Sequence, residues 1–294
     1  MSTSTQQALS GFTAGAVSTA MLHPLDLVKT RFQVNETAGA RLSLMRSLAD
    51  ISRQEGVRSL YRGLSANMAG ATSSWGLYFW WYAIIKDWMR TAPDGTTSTA
   101  KLSATQHLIA SAEAGMLTSL LTNPFWLIKT RMCTQKATDP GAYRNVFDGL
   151  RQVVRAEGFF GLYRGIVPAL IGVSHGALQF MAYEEMKHMR MELVHGADIE
   201  KLGTLEYITM AAASKIFATV CTYPYQVVKS RMQVQTSYVS KEYSGVISTV
   251  TSIVRGEGLA GLYKGMGVNI VRVLPGTCIT FAVYEGMSKL LRNS

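Results

Sequence analysis

The stretches "HPLDLVKTR" (residues 23–31), "NPFWLIKTR" (123–131) and "YPYQVVKSR" (223–231) decide how this chain is built. They begin one hundred residues apart, and each has proline second, lysine seventh and arginine ninth. A fixed period of this kind marks a repeated structural unit. The fourth position breaks the pattern: it is Asp26, then Trp126, then Gln226. A carboxylate, an indole and an amide at one position of a faithful repeat point to a place where the three copies act differently.

The rest of the unit lies downstream. A polar, helix-patterned segment ends at Glu55-Gly56, Glu157-Gly158 and Glu257-Gly258, and glycine just past a helix end is a common left-handed cap. Tyr61-Arg62-Gly63, Tyr163-Arg164-Gly165 and Tyr263-Lys264-Gly265 then open a second apolar segment. Residues 63–85 and 165–183 carry no charge, and each run approaches the ~20 residues that cross a bilayer. The unit is predicted to be a long apolar helix, a short amphipathic helix and a second long apolar helix. Six such apolar segments in 294 residues leave too little polar chain to cover them in water, since only 16% of the chain is charged.

The net charge of +10 suits anionic lipid headgroups and an anionic solute. The Lys and Arg residues recur at repeat positions instead of forming one basic face, which argues against a nucleic-acid partner. Cys133, Cys221 and Cys278 are odd in number and far apart, so neither a disulfide framework nor a metal site is expected. With no nucleophile–base pair, no metal cluster and no Walker or Rossmann spacing, catalysis is not expected. The N-terminal "MSTSTQQALSGFTAG" has no signal-peptide or transit pattern, so targeting information is expected to be internal.

With three in-register PxxxxK signatures, the chain resembles the mitochondrial carrier family over its whole length. The resemblance implies an all-α membrane protein, one carrier domain over residues 1–294 with repeats at 7–95, 104–195 and 204–291. Six transmembrane helices and three short matrix helices would form a pseudo-threefold barrel around a central cavity in the mitochondrial inner membrane. The stretches "SWGLYFWWY", "NPFW", "SHGALQFMAYE" and "SKIFATVCTYPYQVV" resemble the FAD/folate branch of that family. This implies FAD as a transported solute and not as a prosthetic group. Folate, NAD and pyrimidine nucleotides stay open as solutes, as does a non-transporting membrane adaptor. The resemblance also implies a monomer that binds cardiolipin at Arg62-Gly63, Arg164-Gly165 and Lys264-Gly265.

Candidate solute contacts come from positions that line the cavity. Seven residues before the fourth-position triplet stand Thr19, Ser119 and Thr219, a hydroxyl in every repeat and on nearly the same helix face. Eleven before it stand Gly15, Gly115 and Lys215, so Lys215 is predicted to face the cavity ~16 Å above Gln226. Aligning the second helices places Gly70, Ile171 and Arg272 together, and the resemblance implies that these are substrate contacts. A guanidinium there suits a phosphate or carboxylate, with Ile171-Gly172 an apolar shelf for an aromatic ring. Trp75 is a stacking candidate, and His175 either a ligand contact or a structural hydrogen-bonder.

The gates read as thin in charge. On the matrix side the ring is Asp26, Lys29, Trp126, Lys129, Gln226 and Lys229. The family's cyclic order makes Asp26–Lys129 the one complete pair, with Gln226 meeting Lys29 and Trp126 meeting Lys229 either through a cation–π contact or only as a plug. On the cytoplasmic side the residues are Lys86, Glu184, Lys187 and Glu285, and only Glu285–Lys86 is a complete pair.

Overall fold

A computed structural model of the chain describes residues 3–36, 43–91, 102–193, 204–234 and 245–293. Every described element is helical. The long helices are α1 (Thr3–Val34), α3 (Leu64–Arg90), α4 (Ala104–Thr134), α8 (Thr204–Val234) and α10 (Met266–Asn293), and the fourth long segment is divided into α6 (Ile166–Ile171) and α7 (Ser174–Leu193). The short helices α2 (Leu44–Gln54), α5 (Val146–Glu157) and α9 (Val246–Glu257) each lead into a single 3-10 turn. The order long, short, long is thus repeated three times around a central space. Among the described residues, Phe159–Arg190 is apolar enough to be read as a span from composition alone. α1, for one, turns Ser18, Thr19, Asp26 and Lys29 to the central space, and polar residues of this kind lower a helix's mean hydropathy.

Each odd-numbered long segment contains its signature proline inside the helix: Pro24, Pro124 and Pro224. A proline there removes a backbone donor and bends the helix, and the three bent C-terminal halves converge. The interruption between α6 and α7 has a local cause as well. The amide of Gly172 bonds the Pro168 carbonyl, but those of Val173 and His175 take carbonyls three residues back, so the helix tightens and shifts register.

Three apolar clusters anchor the convergent end, where each odd helix packs on its own short helix. Leu27, Val28, Phe32 and Ile51 form one, and Val268 of the third repeat and Cys133 of the second enter it. Leu127, Ile128, Val146 and Val153 form another with Ala66 of the first repeat. Tyr223, Val227, Val228 and Ile253 form the third.

The ninth-position arginines tie the repeats into a ring. Arg31, Arg131 and Arg231 each pair through both Nη atoms with Glu55, Glu157 and Glu257 of their own short helix. Their Nε atoms donate to the Cys133, Gln233 and Gln33 carbonyls, each at the end of the next repeat's odd helix. Beside Arg31, Glu55 is held below the usual carboxylate range by those charge-assisted hydrogen bonds. The first-position residues have a common task too. His23 bonds the Arg62 carbonyl at 3.0 Å, Asn123 donates to the Leu162 carbonyl at 2.7 Å and Tyr223 to the Lys264 carbonyl at 3.1 Å. An imidazole, an amide and a phenol each pin the turn that precedes the second helix of the repeat.

Gly63, Gly165 and Gly265 complete the interlock, with φ of 84°, 75° and 84°, the left-handed region glycine tolerates. Their bare backbones press on the next repeat: a Cβ would lie 3.3 Å from the Lys129 carbonyl oxygen, 3.2 Å from that of Lys229 and 3.1 Å from that of Lys29, respectively.

Candidate functional site

Above the convergent end lies a chamber of about 320 Å³ lined by Ser18, Thr19, Leu22, Asn67, Asp26, Lys29, Trp126, Lys129 and Arg272. Beneath it a second space of about 280 Å³ is bounded by Asp26, Lys29, Trp126, Lys129, Gln226, Lys229 and hydroxyl and amide groups that include Thr130 and Gln233. Asp26, Lys29, Trp126 and Lys129 border both spaces and so form the floor between them.

The floor is wired differently from the cyclic scheme. Asp26 Oδ1 accepts from Arg272 Nη1 at 3.1 Å, and among the described residues no ion pair joins Asp26 to Lys129. Lys129 instead reaches the Thr30 hydroxyl at 3.5 Å. The reason is packing: α1 runs along α10, while it meets α4 over a much shorter stretch. The long guanidinium of Arg272 is therefore the cation brought to Asp26. Lys29 Nζ donates to Gln226 Oε1 at 3.1 Å, the pairing expected for that amide.

Trp126 does not hold Lys229. Its indole lies against Gly70, where an added Cβ would be 3.4 Å from Cε2, and its Nε1 donates to Ser74 Oγ at 3.3 Å. The cation over a ring among the described residues is Lys29, with Nζ 5.9 Å from the Tyr223 centroid. Gly70 is therefore covered by the indole and not open to the chamber. The missing side chain at Gly70 and the large one at Trp126 fit together as one feature.

The other predicted contacts are spread out. Gly172 is covered by the Tyr225 ring, whose Cε2 would stand 2.7 Å from an added Cβ, so it offers no shelf on that side. Ile171 is half exposed. Lys215 is exposed on α8, within electrostatic range of His175, and His175 Nδ1 is 2.8 Å from the Thr222 hydroxyl. Trp75 is exposed and stacks on Phe79 with centroids 5.7 Å apart. It borders neither chamber. Thr19 lines the upper chamber, whereas Thr219 turns back to the Lys215 carbonyl.

At the end away from the short helices Arg190 of α7 pairs with Glu206 of α8 at 2.7 Å, but the expected gate residues are not engaged. Among the described residues no ion pair engages Lys86, Glu184, Lys187 or Glu285, so the expected Glu285–Lys86 pair is not made. The basic residues assigned to lipid have protein partners. Arg62 donates to the Met132 and Tyr143 carbonyls, Arg164 pairs with Glu157 at 3.1 Å, and Lys264 with Glu257 at 2.5 Å. Among the described residues no group of His, Cys, Asp and Glu could hold a metal ion.

Sequence reading missed the Arg–Glu ring, the first-position pins and the fit of Trp126 on Gly70. The signal for the first was visible, since the ninth-position arginine and the Glu-Gly glutamate recur together.

Comparison with known proteins agrees with this architecture. A family model described as "Mitochondrial carrier protein" matches residues 1–93, 100–193 and 200–294. A mitochondrial FAD carrier protein of Saccharomyces cerevisiae is 36% identical over 97% of both chains. A chloroplastic folate transporter of Arabidopsis thaliana is 39% identical over 98% of this chain and 96% of its own. A mitochondrial nicotinamide adenine dinucleotide transporter of the same plant is 38% identical over 96% of this chain and 78% of its own.

Proposed function

The chain belongs to the mitochondrial carrier family, and from that membership we propose that it carries FAD across the mitochondrial inner membrane by alternating access. The observation that carries this reading is the chamber floor, where Arg272, Lys29 and Lys129 surround the single carboxylate of Asp26. That surplus of positive charge at the bottom of a wet chamber suits a diphosphate, and the guanidinium fork matches phosphate oxygens. The resident Asp26 serves as a place-holder for the solute. An arriving phosphate takes Arg272, and the freed carboxylate turns to Lys129, which couples binding to rearrangement of the floor. The linked convergent end corresponds to a closed matrix gate, and the far end, where among the described residues Lys86, Glu184, Lys187 and Glu285 make no ion pair, to an open cytoplasmic one.

Folate is the second reading, favoured by the similarity to the plant folate transporter. In both readings the heteroaromatic compound is cargo and not a prosthetic group, and the protein acts as a monomeric carrier without catalysis. Cardiolipin binds near the free helix ends at Gly63, Gly165 and Gly265, whose backbone N–H groups attract phosphate. The test is uptake by purified protein in liposomes offered FAD, folate, NAD and pyrimidine nucleotides. Saturable FAD uptake supports the reading, and uptake of NAD or nucleotides without FAD overturns it.

A further inference from the structure

A third cavity, about 790 Å³, lies between α4 and α7 and is larger than either chamber at the floor. Ser111, Ala112 and Gly115 line it from α4, and Gly176 and Ala177 from α7. Tyr225 and Lys229 stand at its end nearest the gate, and Tyr78 lies among its walls. The walls part as a wedge. A Cβ on Gly115 would meet Val173 at 3.1 Å, whereas one on Gly176 would meet nothing within 4 Å.

The space belongs to one repeat. Where the second repeat has Ala112, Gly115 and Gly176, the first has Phe12, Gly15 and Trp75, and the third has Ala212, Lys215 and Thr277. Only the second copy is small at all three positions, so it breaks the threefold symmetry as an asymmetric solute would require. Lys229 and Tyr225 also border the space beneath the chamber floor, so the cavity abuts the cationic ring. A largely apolar cleft of several hundred Å³ with a few polar groups, His107 and Ser111 toward one end and Tyr225 and Lys229 toward the other, has the form of a small-molecule site.

We propose that this wedge between α4 and α7 receives the planar fused heteroaromatic ring of the solute, of the class whose edge carries ring carbonyls, as isoalloxazine and pterin rings do. Lys229 donates to that edge, the small residues of α4 and α7 face the two sides of the ring, and the phosphates or carboxylates of the solute lie over the floor. The assignment rests on the FAD or folate reading above and adds to it a subsite that selects the ring.

The test uses the full-length protein with Gly176→Leu, whose Cβ has room, and Ala112→Phe, which restores the first repeat's residue on the facing wall. Binding of FAD is followed by flavin fluorescence, and binding of ADP, which lacks the flavin ring, by thermal stabilisation. Each variant is expected to weaken FAD binding about tenfold or more, the scale for misfit in an apolar pocket, and to leave ADP stabilisation unchanged. Wild-type affinity for FAD in both variants overturns the proposal, as does an equal loss for FAD and ADP, which would mean general distortion. If the only change is fewer retained lipids in native mass spectrometry, the wedge is an acyl-chain crevice and the proposal is overturned. If the wild type takes up FAD or folate while the variants behave normally, the subsite alone fails. If the wild type takes up neither, the solute reading fails and the subsite falls with it.

Discussion

Arg272 and Asp26 meet across the chamber floor, Nη1 to Oδ1 at 3.1 Å, with 32% and 16% of their side chains exposed. A half-open pair of this kind can exchange partners. Asp26→Asn removes the carboxylate that competes with the solute for the guanidinium, and a charge-assisted hydrogen bond is worth ~1.5–3 kcal/mol. The apparent KM for FAD is therefore expected to fall roughly tenfold, and the maximal rate to fall too because Lys129 loses its alternate partner. Initial rates across a concentration series check this, and an unchanged KM would contradict the exchange.

Trp126 and Ser74 should behave as a coupled pair. Trp126→Phe and Ser74→Ala each remove the 3.3 Å hydrogen bond, at about 1 kcal/mol, and the double variant should cost no more than either alone beyond their packing losses. Gly70→Leu should displace the indole and impair transport, whereas Gly70→Ala adds only an ordinary van der Waals contact. Varying Lys229 should couple to neither. Thermal unfolding and uptake measured over this double-mutant cycle decide it.

The three Arg–Glu pairs predict a ranking of stability. Arg131 and Glu157 are 2% and 3% exposed, whereas Arg31 and Glu55 are 19% and 10% exposed. Glu157→Ala strands a buried guanidinium, at ~3–5 kcal/mol, which corresponds to a fall in Tm of roughly 10 °C for a chain of this size. Glu55→Ala should cost clearly less, because water reaches Arg31. Parallel melting curves provide the comparison, and equal losses would argue against burial as the cause.

Two glycines separate backbone strain from close packing. Gly158→Ala meets backbone strain alone: at φ 76° and ψ 177° it lies in a region essentially reserved to glycine, with nothing within 4 Å, and should cost ~1–3 kcal/mol. Gly165→Ala, at φ 75° and ψ 14°, meets the milder left-handed helical region at ~1–2 kcal/mol, but also Gln233 Cγ at 3.0 Å and the Lys229 carbonyl at 3.2 Å. It should cost at least as much despite the milder backbone strain, and it should loosen the matrix end, seen as faster proteolysis at the short helices. Equal proteolysis of the two variants would mean that the inter-repeat contact contributes little.

The threefold architecture was legible because spacing survives in one dimension. The signature prolines, the Glu-Gly pairs and the Tyr-Arg/Lys-Gly turns stand at fixed offsets, and each offset is a helix boundary or bend. The hydroxyl stripe was only partly legible, since Thr219 bonds its own helix while Thr19 lines the chamber. Cross-repeat partners were the least legible. Whether Asp26 meets Lys129 or Arg272 depends on which helices run side by side and on the reach of a guanidinium, and neither appears in a periodicity. Trp126 looked like a partner for Lys229 by symmetry, but the vacant side chain at Gly70 gave its indole an apolar surface to cover, with Ser74 in reach of its N–H.

The most direct measurement is FAD uptake into liposomes by the wild type, Arg272→Lys and Arg272→Ala at matched incorporation and matched folded fraction. If Arg272 receives the phosphates, the wild type should show saturable uptake. Lysine should retain a reduced rate, because it keeps the charge and loses the fork. Alanine should lose uptake by roughly tenfold to a hundredfold, the equivalent of ~1.5–3 kcal/mol of charge-assisted binding. Uptake by Arg272→Ala at the wild-type rate and KM would contradict the assignment of the chamber floor as the FAD site.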